Sequence, residues 1–282
     1  MKIGMNLLLW TDQADAETVK PLAETIKEMG FDGVELPFFA IDPDAAAQSG
    51  KVLNDLGLGR TAVTVRGPED DPMSADEAVR KNGIAAMKSV LDCCEAAGVE
   101  TLVGPFHSAL GQFSGAGPTE DEWKRAVESG REVVEYANTK GVAISFEPLN
   151  RFEIYLLNTV ADAARFVADI GLPNCGLLYD SFHANIEEKN IKDAILSGKG
   201  AINHVHISEN DRSTPGSGGV NWPANFDGLK SIGYDGWVTI EAFGQALPAL
   251  IPATKIWRRM YESEEQLARD GLSFVQRMWS AE

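Results

Sequence analysis

Basic residues are scarce in this chain: 25 Lys and Arg stand against 42 Asp and Glu, a formal net charge of −17 over 282 residues. Nucleic-acid binders present a basic face, and anionic membrane surfaces attract one, so neither partner is expected. Cysteine is scarcer still. Cys93, Cys94 and Cys175 are an odd set without a C-x-x-C spacing, which reads as reduced thiols in a reducing compartment rather than a disulfide framework. Long hydrophobic runs are missing too. The opening "MKIGMNLLLW" gives way at once to Thr11 and Asp12, too short for a spanning helix and without a small-residue cleavage site. No Ser/Gly linker or low-complexity tract divides the sequence. Together these absences describe a cytoplasmic globular protein.

What is present is a core and an alternation. With 44% hydrophobic residues, the chain can bury one large core, and α/β barrels commonly reach this length as one domain. Short apolar runs alternate with amphipathic stretches throughout: "KIGMNLLLW", "GVELPFF", "GRTAVTV", "ETLVGPF", "VAISFE", "CGLLYD", "INHVHIS" and "GWVTIE" read as strands. Between them lie helical segments, several closed by a glycine: Gly30, Gly57, Gly98 and Gly141. The helix after "CGLLYD" is expected around Ile191 to Ser197. An uninterrupted series of strand–helix repeats predicts an α/β fold, a single (β/α)₈ TIM barrel spanning residues 1–282 with a C-terminal helical extension.

Active-site groups in such barrels stand at the C-terminal ends of the strands. The last four strands end unusually: in Glu147, Asp180, His206 and Glu241, each roughly one βα unit after the last. One strand-end acid is ordinarily a cap or a solvated edge. Three carboxylates and an imidazole converging on one mouth would repel and desolvate one another at high cost, unless a divalent cation sits among them. Three oxygen donors and one nitrogen suit Mn²⁺, Mg²⁺ or Co²⁺, with zinc as an alternative. Just beyond these strands, in what read as loops, come Glu153, His183 and Arg212, where a substrate would lie. Trp10, Phe38, Phe39, Phe106 and Phe243 also fall near strand ends, to stack on a sugar or to fill the top layer of the barrel. His204 shares the inward side of its strand with His206 and is assigned a packing or supporting role. "PGSGG" (Pro215 to Gly219) reads as a flexible loop rather than a phosphate cradle, because no helix-initiating motif of the right spacing follows.

The stretches "FEPLNRFE", "YDSFHANIEE", "HVHISENDR" and "GYDGWVTIEAF", with "NTVADA" and "DDPMSADEAVRKNG", resemble the D-tagatose/D-psicose (allulose) 3-epimerase family of the xylose-isomerase-like barrels. The likeness covers nearly the whole chain. It implies that Glu147, Asp180, His206 and Glu241 are metal ligands, and that Glu147 and Glu241 are also the catalytic acid/base pair. It further implies substrate contacts from Glu153, His183 and Arg212, a divalent ion with Mn²⁺ as first choice, and a homodimer or homotetramer. Two departures bear on the sugar: Arg66, read as the end of strand three where relatives carry a small residue, and the first strand "MNLLLW".

The expected reaction is epimerisation of a free ketose at C3 through a cis-enediolate. The C3 hydrogen is acidified by the neighbouring carbonyl, and inversion needs proton removal on one face and return on the other, hence two carboxylates. The alternatives are a hydroxypyruvate isomerase-like or inosose dehydratase-like enzyme of the same superfamily. An endonuclease IV-like hydrolase would need a histidine-rich zinc cluster, which four histidines and an acidic chain do not support.

Overall fold

The structure is a computed structural model and describes residues 1–281. Eight parallel strands close into a barrel in chain order: β1 Lys2–Asn6, β2 Gly33–Pro37, β3 Gly59–Val63, β4 Thr101–Gly104, β5 Ala143–Phe146, β6 Cys175–Asp180, β7 Ile202–Ile207 and β8 Trp237–Ile240. The ring is sealed where β1 pairs with β8, Ile3 opposite Val238 and Met5 opposite Ile240. The expected barrel is the observed one. Outside it run α1 Ala16–Met29, α2 Pro43–Leu56, α3 Glu77–Ala97, α4 Glu120–Lys140, α5 Val160–Ile170, α6 Ser181–Glu187, α7 Ile191–Ser197, α8 Trp222–Ser231, α9 Ile251–Thr254 and α10 Glu264–Ser280.

The helix boundaries follow local chemistry. The Asp15 carboxylate accepts from the backbone N–H of Glu17 and Thr18 to start α1, and Thr119 with Glu122 forms a capping box at α4. The helices turn apolar faces inward, so Val19, Ala23 and Ile26 of α1 join Val34, Leu36, Leu53 and Leu91 in one continuous core.

Four local readings differ from the sequence expectation. The first strand stops at Asn6, whose side chain accepts from the Leu8 N–H and turns Leu7–Leu9 into a 3₁₀ segment. β3 stops at Val63, so Arg66 lies past the strand and only bridges to Ala109. An extra helix, α6, follows β6 directly, which places His183 on a helix rather than in a loop. In the C-terminal region only α10 and the single turn α9 are helical, and "IWRRMYES" between them is not.

Gly104 ends β4 at φ 130°, and a Cβ there would come 2.2 Å from the Thr64 carbonyl oxygen. Only glycine fits that approach. Its own carbonyl accepts the Glu147 N–H at 3.0 Å, which fixes the backbone at the first of the strand-end acids.

Candidate active site

A cavity of about 210 Å³ opens at the C-terminal mouth of the barrel. Of the seven residues singled out from sequence, Glu147, Glu153, His183, Arg212 and Glu241 line it. Asp180 and His206 lie beneath, fully buried. Glu147, Asp180, His206 and Glu241 each offer one ligand atom, and those atoms lie within 4.8 Å of one another.

His206 orients the cluster. Its Nδ1 lies 3.3 Å from Glu241 Oε1 and 3.7 Å from Asp180 Oδ2, and has no hydrogen-bond partner despite full burial. A buried, unpartnered nitrogen facing three carboxylates is what a cation-binding donor set requires, so the residues present fit a divalent ion. The Asp180 carboxylate divides its oxygens: Oδ1 caps α6 by accepting the Phe182 N–H at 2.6 Å, and Oδ2 faces the cluster.

Arg212 closes one side. Its backbone is left-handed at φ 64°, held by Arg212 N–H to the Glu209 carbonyl and Phe243 N–H to the Arg212 carbonyl, each 2.9 Å. The guanidinium lies over the rings of Phe182 and Phe243, at 3.8 and 5.1 Å, and donates to Asp180 Oδ2 at 3.1 Å and to Glu241. Next to it, His183 Nδ1 lies 2.9 Å from the Asn150 backbone nitrogen. His183 Nε2 accepts from Arg212 Nη2 at 2.8 Å, since a guanidinium only donates, and lies 3.7 Å from Glu147 Oε1. Burial and the Arg212 charge push His183 down to about 3, so it is neutral at ordinary pH. Glu153 is half-buried and accepts from Asn150 Nδ2 at 2.7 Å.

The two cavity glutamates differ in proton affinity. Burial, reinforced by repulsion from Glu241, raises Glu147 well above the carboxylate range. Burial opposes ionisation of Glu241 as well, but His206 and Arg212 outweigh it and hold that acid at about 2. Without a metal, the proton therefore favours Glu147 over Glu241.

The remaining sequence candidates divide. Phe39 and Phe243 line the cavity, whereas Trp10, Phe38 and Phe106 pack into the core, Phe106 against Phe146 at 5.1 Å. Arg66 does not reach the cavity; it is buried against Asp70 at 2.7 Å and Thr64 Oγ1 at 2.9 Å. The "PGSGG" loop does wrap an anion, but an internal one: Glu209 accepts from Gly216 N–H, Val220 N–H and Trp222 Nε1 at 2.8 to 3.0 Å. Sequence reasoning passed over Glu209 and also Glu35, an acid in the middle of the apolar strand "GVELP" that is completely buried. The legible signal was that acid's inward position, between the core residues Val34 and Leu36.

A closed (β/α)₈ barrel with three carboxylates and an imidazole gathered beneath its C-terminal mouth defines a class: barrel enzymes with a centre able to hold a metal. A family model described as "Xylose isomerase-like TIM barrel" matches residues 23–278, and the chain belongs to that family. Within it the chain groups with the ketose 3-epimerases, isomerase-class enzymes. It is 34% identical to an L-ribulose 3-epimerase from Mesorhizobium japonicum, over 97% of this chain and 93% of that protein. It is 33% identical to a probable ketose 3-epimerase from Synechocystis, over 99% and 97%. The crystal structure of a D-allulose 3-epimerase from Methylomonas in complex with D-allulose superimposes with a TM-score of 0.92 at 26% identity, covering 99% of this chain and 97% of that one.

Proposed function

We propose that this protein epimerises a free ketose at C3. Glu147, Asp180, His206 and Glu241 would hold a divalent ion, with Mn²⁺ as the first choice and Mg²⁺ or Co²⁺ as alternatives. Such an ion supplies Lewis acidity that polarises the C2 carbonyl and stabilises the enediolate charge. The observation that carries the reading is the pair of buried glutamates that line the cavity and also belong to the donor cluster. Inversion at C3 needs a base on one face and an acid on the other, and Glu147 after β5 and Glu241 after β8 stand at separate positions around the ring. In one direction one of the two takes the C3 proton as base while the other returns a proton to the opposite face as acid. In the reverse direction the roles exchange.

Arg212, with His183 beside it, would hold a sugar oxygen near the reacting carbons, and Glu153 would accept from a hydroxyl. An unphosphorylated substrate accords with the charges. Among the described residues Arg212 is the one Lys or Arg lining the cavity, and Asp180 and Glu241 already meet its charge, which leaves none of these cations for a phosphate dianion. The relatives named above as L-ribulose and D-allulose 3-epimerases support a ketopentose or ketohexose.

Product analysis after incubation with Mn²⁺ and fructose, psicose, tagatose or ribulose tests the reading. The expected product is the C3 epimer of at least one of them. An aldose would assign an isomerase, loss of water a dehydratase, and no turnover of any would end the proposal.

A further inference from the structure

The reaction scheme above makes no use of Glu35, and this side chain does not line the cavity. It is a carboxylate at zero exposure inside the barrel, a placement that is costly unless donors surround it. The strand register supplies them: Asn6 of β1 pairs with Glu35 of β2, and Glu35 pairs with Thr61 of β3, so three side chains share one row. Asn6 Nδ2 donates to Glu35 Oε1 at 2.9 Å, and Thr61 Oγ1 donates to Oε2 at 2.8 Å. From across the barrel, His206 Nε2 reaches Oε1 at 2.8 Å, and His204 Nε2 lies 3.1 Å from Oε2.

The proton positions follow by elimination. The Leu8 N–H donates to Asn6 Oδ1 at 2.8 Å, which fixes that oxygen and leaves the Asn6 amide nitrogen to face Glu35 as donor. Glu35 accepts on both oxygens, from Asn6 Nδ2 at Oε1 and from Thr61 Oγ1 at Oε2, so the carboxylate faces the histidines as an acceptor. His206 must therefore present its proton on Nε2 to Glu35. The other ring nitrogen, Nδ1, is the unpartnered atom aimed at Glu147, Asp180 and Glu241.

We infer that Glu35 is a positioning residue that fixes the His206 ring and its tautomer, so that the Nδ1 lone pair points into the cation site. The inference rests on the metal-site reading proposed above. A carboxylate behind a ligating histidine both orients the ring and raises its basicity. Asn6 and Thr61 hold the carboxylate, Glu35 holds the imidazole, and the chain of contacts ends at the cluster.

The test is Mn²⁺ binding to the metal-stripped full-length protein, read by the loss of the free-ion EPR signal. Glu35→Gln keeps the shape and removes the negative charge behind the ring, so His206 loses the partner that raises its basicity. Mn²⁺ affinity is expected to fall by about 10- to 100-fold, with the sugar KM at saturating Mn²⁺ within a few-fold of wild type. In Mg²⁺-loaded protein, ¹⁵N spectra of labelled histidine are expected to report His206 protonated at Nε2. Thr61→Val, a milder change that removes one donor to Glu35, is expected to weaken Mn²⁺ in the same direction and serves if the Gln variant does not fold. Wild type that binds Mn²⁺ with both variants matching it would overturn the inference alone. Wild type that binds no Mn²⁺ would overturn the metal-site reading and the inference together.

Discussion

Glu147 and Glu241 are the same side chain in two settings, and the difference lies in their neighbours. Glu147 has burial and a like charge nearby; Glu241 has His206 and Arg212 against it. In the proposed acid/base scheme, both are needed. Glu147→Gln and Glu241→Gln should each lower kcat by at least ~100-fold when assayed at saturating Mn²⁺ by following epimer formation. A second residue-scale expectation concerns stability. Burial pushes His107 from 6.5 down to about 4, while its Nε2 bonds the Glu147 carbonyl at 2.9 Å. Below 6.5 the unfolded chain takes up a proton that the folded one does not accept until about 4, so stability falls as pH drops through that window. The loss by about pH 5 is roughly 2 kcal/mol. His107→Gln keeps a donor to that carbonyl and cannot titrate, so urea unfolding near neutrality and near pH 5 should show the loss shrinking by that amount. The strand-end acids could be read from sequence because each closes an apolar run. The inward position of Glu35 was visible too, but what Glu35 and Glu209 do depends on partners from distant strands and loops: Asn6, Thr61 and His206 for one, Trp222 for the other.

Among the elements, β5 to β8 were legible because apolar strands ending in acids alternate with well-capped helices. The β6–α6 junction was not. "SFHANIE" is only 7 residues and has no strong periodicity; it is helical because Asp180 caps it, an assignment that also turns His183 toward Arg212. The "LLL" segment misled for a related reason. It carries strand-like residues, yet a side-chain hydrogen bond from Leu8 to Asn6 competes with extension. The loop after β7 is built around Glu209, and its carbonyl holds the strained Arg212. Glu209→Gln replaces an acceptor oxygen with a donor facing backbone amides, at a cost of about 1–3 kcal/mol. The expected outcome is a lower urea midpoint and a sugar KM raised several-fold, with Mn²⁺ affinity nearly unchanged, because the loop carries Arg212 but none of the four clustered donors.

For the whole molecule, the barrel followed from the count of strand–helix repeats, and closure of β1 on β8 is the tertiary fact no local pattern contains. The cavity belongs to the same category: Leu8, Val63, Leu110 and Leu250 come from four separate segments to make its apolar wall. No helix among the described residues is long and apolar enough to cross a membrane. A buried set of three carboxylates and an imidazole should couple metal to global stability. Mn²⁺ at about 100 times its Kd should stabilise the fold by ~2.7 kcal/mol relative to chelator-treated protein, a rise of several degrees in Tm by scanning calorimetry.

The central claim is proton exchange at C3 by two carboxylates. It is tested most directly by turnover in D₂O with Mn²⁺ and a ketose substrate, followed by NMR of recovered substrate and product. The account predicts deuterium at C3 of the epimer and none at C1. Deuterium at C1 with an aldose product, or an epimer free of deuterium at C3 after many turnovers, would contradict it.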